Sequence, residues 1–147
     1  MTTTPAVSNR LIDKRTINLA AANAALTAAV AAAQAVGMKA SIAVLDDAAH
    51  LIAFARMDGV HIGTIEVAMA KARSAILFRR PTKAFSDAMA TGGPAYLALP
   101  GVVPFEGGVP LMMDDQLVGS IGVSGGTPDA DGKVAAAAAA AALAAKA

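Results

Sequence analysis

The chain lacks cysteine and tryptophan and has few charged residues, and each shortage excludes a class of function. Without cysteine there can be no disulfide, no thiolate nucleophile and no cysteine-bound metal. Aromatic residues make up only 3% of the chain, so we expect no platform on which bases or sugars stack. The net charge of +1 argues against nucleic acid as a partner, because binding phosphates requires a basic surface.

Long apolar runs are also missing, although 56% of the residues are hydrophobic and only 16% are charged. No uninterrupted apolar stretch approaches the ~20 residues that span a bilayer, so we expect no membrane partner. The N-terminal residues contain no apolar core of a secretory signal, which favours a cytoplasmic location. Alanine supplies much of the apolar excess. A helix rich in alanine and poor in charge must be buried against its own subunit or a neighbour, so we expect a homo-oligomer.

The length of 147 residues fits one domain, predicted over residues 16–147 behind a flexible N-terminal arm of residues 1–15. Thr16 is predicted to cap a first helix over residues 17–36. Thr64 and Thr82 are predicted to cap the second and third helices, and a last helix is expected from about Asp129 to Lys146. The buried stripe of the first helix is predicted to contain Leu19, Leu26 and Val30.

Two pairs of apolar runs are separated by short acidic turns, a pattern typical of β-hairpins. The first pair covers residues 40–45 and 50–56, the second covers residues 109–113 and 116–123, and a fifth strand is possible near Val102. The order of helix, two strands, helices, two strands and helix predicts an α+β fold: an antiparallel sheet with helices segregated from it.

A first polar island lies at the end of the first hairpin, in residues 56–58. Arg56 could orient a ligand carboxylate, and Asp58 could carry a proton. The alternative is an ordinary strand-end ion pair followed by a turn at Gly59.

A second, glycine-rich island covers residues 105–127. Next to a pocket, Phe105, Gly107 and Gly108 would contact a ligand, and Glu106 would be an acid or base. The alternative is that these glycines form bulges and close packing contacts. The segment is not a phosphate-binding loop, since it has no Gly-Lys-Ser/Thr sequence.

Three further side chains are candidates. His50 and His61 are the only histidines, and either could be the axial ligand of a haem, a role that needs one imidazole. Both could instead be surface or capping residues. Lys71 falls on an apolar side of the second helix, so it either extends its ammonium to the surface or points into a ligand pocket.

Three ordered blocks of sequence resemble the GlcG/HbpS family, also called the haem-degrading domain. The blocks are residues 45–59, residues 71–82, and residues 107–127 with their Gly-Gly-Val-Pro and Gly-Ser-Ile-Gly-Val-Ser-Gly-Gly-Thr sequences. The resemblance implies a profilin-like fold, with a central antiparallel sheet of about five strands flanked by helices. It also implies oligomers and, in some members, haem as a cofactor. The best-known haem-binding relatives use a histidine on the first helix, and residues 17–36 of this chain contain none.

Our leading hypothesis is therefore a small-molecule-binding protein whose ligand is haem or another carboxylate-bearing compound. Arg56 and Lys71 would neutralise the carboxylates, in a pocket between the sheet and the loop of residues 94–108 that both islands border. The alternative is a catabolic isomerase, tautomerase or lyase that acts on a small organic acid or aromatic breakdown product. Asp58, Glu106, His61 or His50 would transfer the proton, and Arg56 would anchor the substrate. A third possibility is a structural or accessory oligomer without catalytic activity.

Overall fold

Helices and strands follow one another in the predicted order in the computed structural model, which describes residues 9–144. The elements are α1 (Leu19–Ala35), β1 (Ser41–Asp46), β2 (Leu51–Arg56), α2 (Gly63–Phe78), α3 (Lys83–Gly92), a 3₁₀ turn (Pro94–Ala98), β3 (Gly108–Met113), β4 (Gln116–Ser124) and α4 (Pro128–Ala144). The strands form one antiparallel sheet in the order β2-β1-β4-β3. The two predicted hairpins are thus joined through β1 and β4, where Val44 lies opposite Ile121.

The two faces of the sheet are covered by different helices. On one face, the aliphatic side chains of β1 and β4 pack with the buried alanines of α1 and α4. On the other face, Ala43 and Leu45 of β1 pack with Ala68 and Ala72 of α2. Gly122 of β4 is needed there, because a Cβ at this position would collide with the carbonyl oxygen of Ala68. Helix α2 therefore lies directly on the centre of the sheet.

The first helix begins later than predicted, and its cap is not Thr16. The side chain of Asn18 accepts the Ala21 N–H at 2.9 Å, whereas the Ile17 N–H donates to the carbonyl of Val118 in β4 at 2.9 Å. Ile17 is therefore held against the sheet and cannot start the helix. The predicted buried stripe was wrong at Leu19, which is 58% exposed, whereas Leu26 and Val30 are partly buried against the core. The residues of α1 that are buried are Ala22, Ala25, Ala29 and Ala33.

Neither predicted threonine side chain caps its helix. Thr64 lies inside α2, where its buried hydroxyl donates to the carbonyl of His61 at 2.7 Å and lies 2.8 Å from the Ser41 hydroxyl. Thr82 does precede α3, but its hydroxyl accepts the N–H of Gly108 at 3.0 Å. Each hydroxyl contacts a residue of a distant strand, Ser41 in β1 or Gly108 in β3, and is therefore not used to cap its own helix.

The described part of the chain forms four strands, and the predicted fifth strand near Val102 is absent from residues 9–144. The N–H of Val102 instead donates to the carbonyl of Leu99 within a turn, and the N–H of Val103 donates to the Ser74 hydroxyl on α2. Because the N–H groups of Val102 and Val103 are bonded to a turn and to α2, they cannot also pair with a strand.

The ends of the chain are only partly described. The predicted arm of residues 1–15 lies outside the described range up to residue 8, and the predicted end of the last helix at Lys146 lies outside it as well. From residue 9 onward, the arm reaches the sheet through the ion pairs Lys14–Asp47 at 3.4 Å and Arg15–Asp114 at 2.9 Å. In residues 9–144, no helix has the length and apolarity that crossing a membrane requires.

Candidate functional site

Two clefts of about 550 Å³ each adjoin the loop of residues 37–39, which connects α1 to β1. The first cleft lies between Val30 and Gln34 of α1 and residues 55–58 at the end of β2. The second cleft lies on the other side of the loop, against residues 59–61 and residues 125–127. Both volumes fall in the range of about 300–1,000 Å³ that is usual for small-molecule sites.

The walls of these clefts carry charged and titratable side chains. Arg56 and Asp58 line the first cleft, His61 lines the second, and Lys39 lines both. All four are exposed. Within residues 9–144 no ion pair joins Lys39, Arg56 or Asp58 to another residue. The two cations are therefore available to an anionic ligand.

The position of Lys39 depends on Gly59. The Lys39 Nζ atom would lie 2.7 Å from a Cβ built at Gly59, so the ammonium rests over this glycine. Gly59 also has φ = +79°, a conformation that side chains with a Cβ rarely adopt. The turn predicted at Gly59 therefore also provides the space for a charged side chain beside the clefts.

Lys71 is placed differently from what we expected of a ligand-binding residue. Its side chain is 3% exposed, and its ammonium forms an ion pair with Asp131 of α4, with Nζ 2.8 Å from Oδ2. It also donates to the carbonyl of Val123 at 3.0 Å. The other carboxylate oxygen of Asp131 accepts the N–H of Gly126 at 2.8 Å. This pair joins α2, β4 and α4, and it anchors the segment of residues 125–127 that lines the second cleft.

The second polar island is divided between two places. Residues 125–127 line the second cleft, but residues 105–108 line neither cleft. Phe105 is 56% exposed. The Glu106 carboxylate lies 4.0 Å from the Lys83 ammonium and next to Gly132. A Cβ at Gly107 would meet Lys71 and Val123, and one at Gly108 would meet the Lys71 carbonyl, so both glycines are used for close packing.

The two histidines lie at opposite ends of the first hairpin. His50 is in the turn between β1 and β2, and its Nδ1 lies 3.5 Å from the Asp46 carboxylate. His61 follows the far end of β2 and lines the second cleft. A strand of six residues spans about 20 Å, so the two imidazoles cannot serve one iron. Among residues 9–144 no group of three or more His, Asp or Glu side chains could hold a metal ion.

Several residues of the site were not predicted from the sequence. Gln34, Met38 and Lys39 line the clefts, and Asp131 anchors the second cleft by accepting the N–H of Gly126. A local signal existed for Lys39, because it is a charge between a helix-ending glycine and a buried strand. None existed for Asp131, whose partner Lys71 is 60 residues away in the sequence.

The fold and the clefts define an α+β domain with a four-stranded antiparallel sheet between helical layers and a small-molecule-sized site at one end of it. A family model described as "Haem degrading protein HbpS-like" matches residues 17–140. The chain belongs to this HbpS-like family.

Individual relatives agree with this membership. The chain is 41% identical over 103 residues to Protein GlcG of Escherichia coli K12, covering 70% of this chain and 77% of GlcG. Among solved structures, ORFY of Klebsiella pneumoniae superposes with a TM-score of 0.87 at 27% identity, covering 95% of this chain and 99% of ORFY. A PduOC–haem complex superposes with a TM-score of 0.78 at 27% identity, covering 86% and 94% of the two chains. The resemblance noted from the sequence is confirmed.

Proposed function

We propose that this protein binds a small carboxylate-bearing molecule, with haem as the leading ligand, in the two adjoining clefts around residues 37–39. The observation that carries the proposal is that two cations on clefts of ligand size, Lys39 and Arg56, have no ion-pair partner among residues 9–144. Charge-assisted hydrogen bonds from such groups to carboxylates are stronger than neutral ones. The family description and the haem complex of PduOC support haem over other carboxylates.

His61 is the proposed axial ligand, and His50 is not part of the site. The imidazole of His61 lines the second cleft, whereas His50 lies at the other end of the hairpin beside Asp46. Met38 and Met57 add thioethers to the walls of the clefts, and a thioether can serve as a second axial ligand of haem. Lys71 and residues 105–108 are left out of the proposed site, because Lys71 is paired with Asp131 and residues 105–108 line neither cleft.

Titration with hemin tests the proposal, because ligation by a histidine shifts the Soret band. We expect a saturable shift with the wild type and with His50→Ala, and its loss with His61→Ala. His50→Ala is the matched control, since it removes the only other imidazole in the chain. No saturable shift with the wild type would exclude haem, and a shift lost only in His50→Ala would exclude this site.

The anchoring cations are tested in the same titration. A hydrogen bond to a charged group contributes about 1.5–3 kcal/mol, so even its lower limit is about tenfold in affinity. We expect Lys39→Ala and Arg56→Ala each to weaken hemin binding about tenfold. Lys83→Ala, which removes a cation that lines neither cleft, should leave the affinity unchanged. Equal affinities in all variants would show that carboxylates are not bound here.

A proton-transfer enzyme is the second candidate, and one feature of the clefts favours it. Asp58 and His61 flank Gly59 and line adjoining clefts beside Lys39, so an acid or base would lie next to a carboxylate anchor. Glu106 is not part of this proposed proton-transfer site, because it lines neither cleft. Exchange of α-protons of small organic acids in D₂O, followed by NMR, would detect the activity. Exchange that survives in Asp58→Asn and in His61→Ala would rule out both residues.

A further inference from the structure

A chain of buried hydroxyl groups connects His61 to an inner strand of the sheet. Thr64 in the first turn of α2 and Ser41 at the start of β1 are both fully buried. The Thr64 hydroxyl donates to the His61 carbonyl at 2.7 Å and lies 2.8 Å from the Ser41 hydroxyl. A threonine hydroxyl has one proton and a carbonyl can only accept, so in the second contact Ser41 donates to Thr64. The order of donation is therefore from Ser41 to Thr64 to His61.

Ser41 lies at the end of the sheet from which walls of both clefts begin. It is the first residue of β1, and it is paired with Arg56, the last residue of β2, and with Ser124, the last residue of β4. Arg56 lines the first cleft, and residues 125–127, which directly follow β4, line the second. The chain of hydroxyls therefore ties His61 to the same row of the sheet that holds the proposed carboxylate anchor.

The backbone of His61 is held twice by Thr64, whereas its ring has no ionic partner. The His61 carbonyl accepts the Thr64 N–H at 3.2 Å in addition to the Thr64 hydroxyl. The imidazole lies beside Gly63, where a Cβ would be 3.5 Å from Nδ1, an ordinary contact distance. In residues 9–144 neither ring nitrogen takes part in an ion pair. The place of the ring in the second cleft therefore follows from the backbone that carries it.

Another buried hydroxyl makes the same kind of contact without reaching the site. Ser120 of β4 is fully buried, and its hydroxyl donates to the carbonyl of Ala72 in α2 at 2.8 Å. Ser120 lies opposite Leu45, near the other end of β1, and lines neither cleft. Both hydroxyls join the sheet to α2. The Thr64 hydroxyl differs in its acceptor, because that acceptor belongs to a residue that lines the second cleft.

We propose that Thr64 and Ser41 are positioning residues that hold His61 where its imidazole ligates haem iron. The inference rests on the proposed function, in which His61 is the axial ligand. Haem is a rigid plane, so the imidazole must keep a fixed distance from the carboxylate anchor at Arg56. The chain of hydroxyls fixes that distance, because Ser41 is paired with Arg56 in the sheet. Partners that orient a metal-ligating histidine typically contribute about 10–100-fold to metal affinity or activity.

Three variants in the hemin titration test this role, at a temperature at which circular dichroism shows each of them folded. Thr64→Val keeps the shape of the side chain but removes the hydroxyl, and we expect it to weaken hemin binding at least about tenfold. Thr64→Ser keeps the hydroxyl and should bind hemin like the wild type. Ser120→Ala, the matched control, removes a buried hydroxyl between β4 and α2 and should leave the affinity unchanged. Equal losses in Thr64→Val and Ser120→Ala, or equal losses in Thr64→Val and Thr64→Ser, would overturn the proposal.

NMR of the free protein decides the positioning separately from haem. The chain has two histidines, so a His50→Ala background leaves His61 as the only imidazole. We expect nuclear Overhauser contacts between this ring and Gly63 in that background, and their loss when Thr64→Val or Ser41→Ala is added. Unchanged contacts in both variants would overturn the proposal. A wild type that does not bind hemin would refute the proposed function, whereas the ring contacts would still decide whether Thr64 and Ser41 position His61.

Discussion

Replacing Lys71 with methionine tests the buried ion pair that joins α2 to α4. Lys71 and Asp131 are both 3% exposed in their side chains, so the substitution leaves a buried carboxylate with only the hydrogen bond from Gly126. Removing one partner of a buried pair costs about 3–5 kcal/mol. For a domain of this size, each kcal/mol lowers Tm by about 2–4 °C, so we expect a fall of about 6–20 °C. Calorimetry and urea unfolding near neutral pH measure both quantities.

Two further variants separate the effect of the pair from the effect of losing any lysine. Lys71→Met combined with Asp131→Asn should cost less than the sum of the two single changes, because no buried charge then remains alone. Lys133→Met removes a lysine with 76% of its side chain exposed and should leave the stability nearly unchanged. The reasoning about this pair is wrong if Lys71→Met lowers the free energy of unfolding by less than about 1 kcal/mol while the slope of that free energy against urea concentration stays unchanged.

Two more predictions concern the cleft and α4. Gly59→Ala should lower the free energy of unfolding by about 1–2 kcal/mol, because φ is +79° at this position. It should also weaken hemin binding, because the added Cβ displaces the Lys39 ammonium. An unchanged hemin affinity would show that Lys39 does not contact the ligand. A hydrogen bond and the charge of Asp129 raise the pKa of Lys133 above the ordinary value of 10.5. A raised pKa means that the pair stabilises the fold below pH 10.5 and that this contribution is lost as the pH rises through the raised value. The difference in urea midpoint between wild type and Lys133→Gln should therefore vanish at higher pH, and its persistence there would contradict the pairing.

Much of the fold follows from local sequence patterns. Alternation and acidic turns predicted both hairpins, and the helices occur in the predicted order around them. The errors came from side chains that have distant partners. Thr64 and Thr82 have good capping chemistry, but their hydroxyls serve Ser41 and Gly108 instead. A propensity rule considers only neighbours in the chain, and these partners are more than 20 residues away.

The candidate site was predictable only in part. The sequence drew attention to Arg56, Asp58 and His61 as charged and titratable residues at a strand end, and all three line the clefts. Glu106 and residues 105–108 were predicted to join them because of a glycine-rich pattern that can border a pocket. That pattern does not state whether a glycine lies beside a ligand or beside a packed helix. At Gly107 the structure shows close packing against β4 and the Lys71 side chain, and at Gly108 it shows close packing against α2.

The amino-acid sequence alone determined the order of the elements, the α+β class, the membership of the HbpS-like family and the absence of any cysteine-based chemistry. These properties depend on local periodicity, turn residues and composition. Only the tertiary structure decided that Lys71 pairs with Asp131 and that Lys39 joins Arg56 and His61 around one loop. Each of these depends on which distant segments the sheet brings together, and the order β2-β1-β4-β3 is established only when the chain folds.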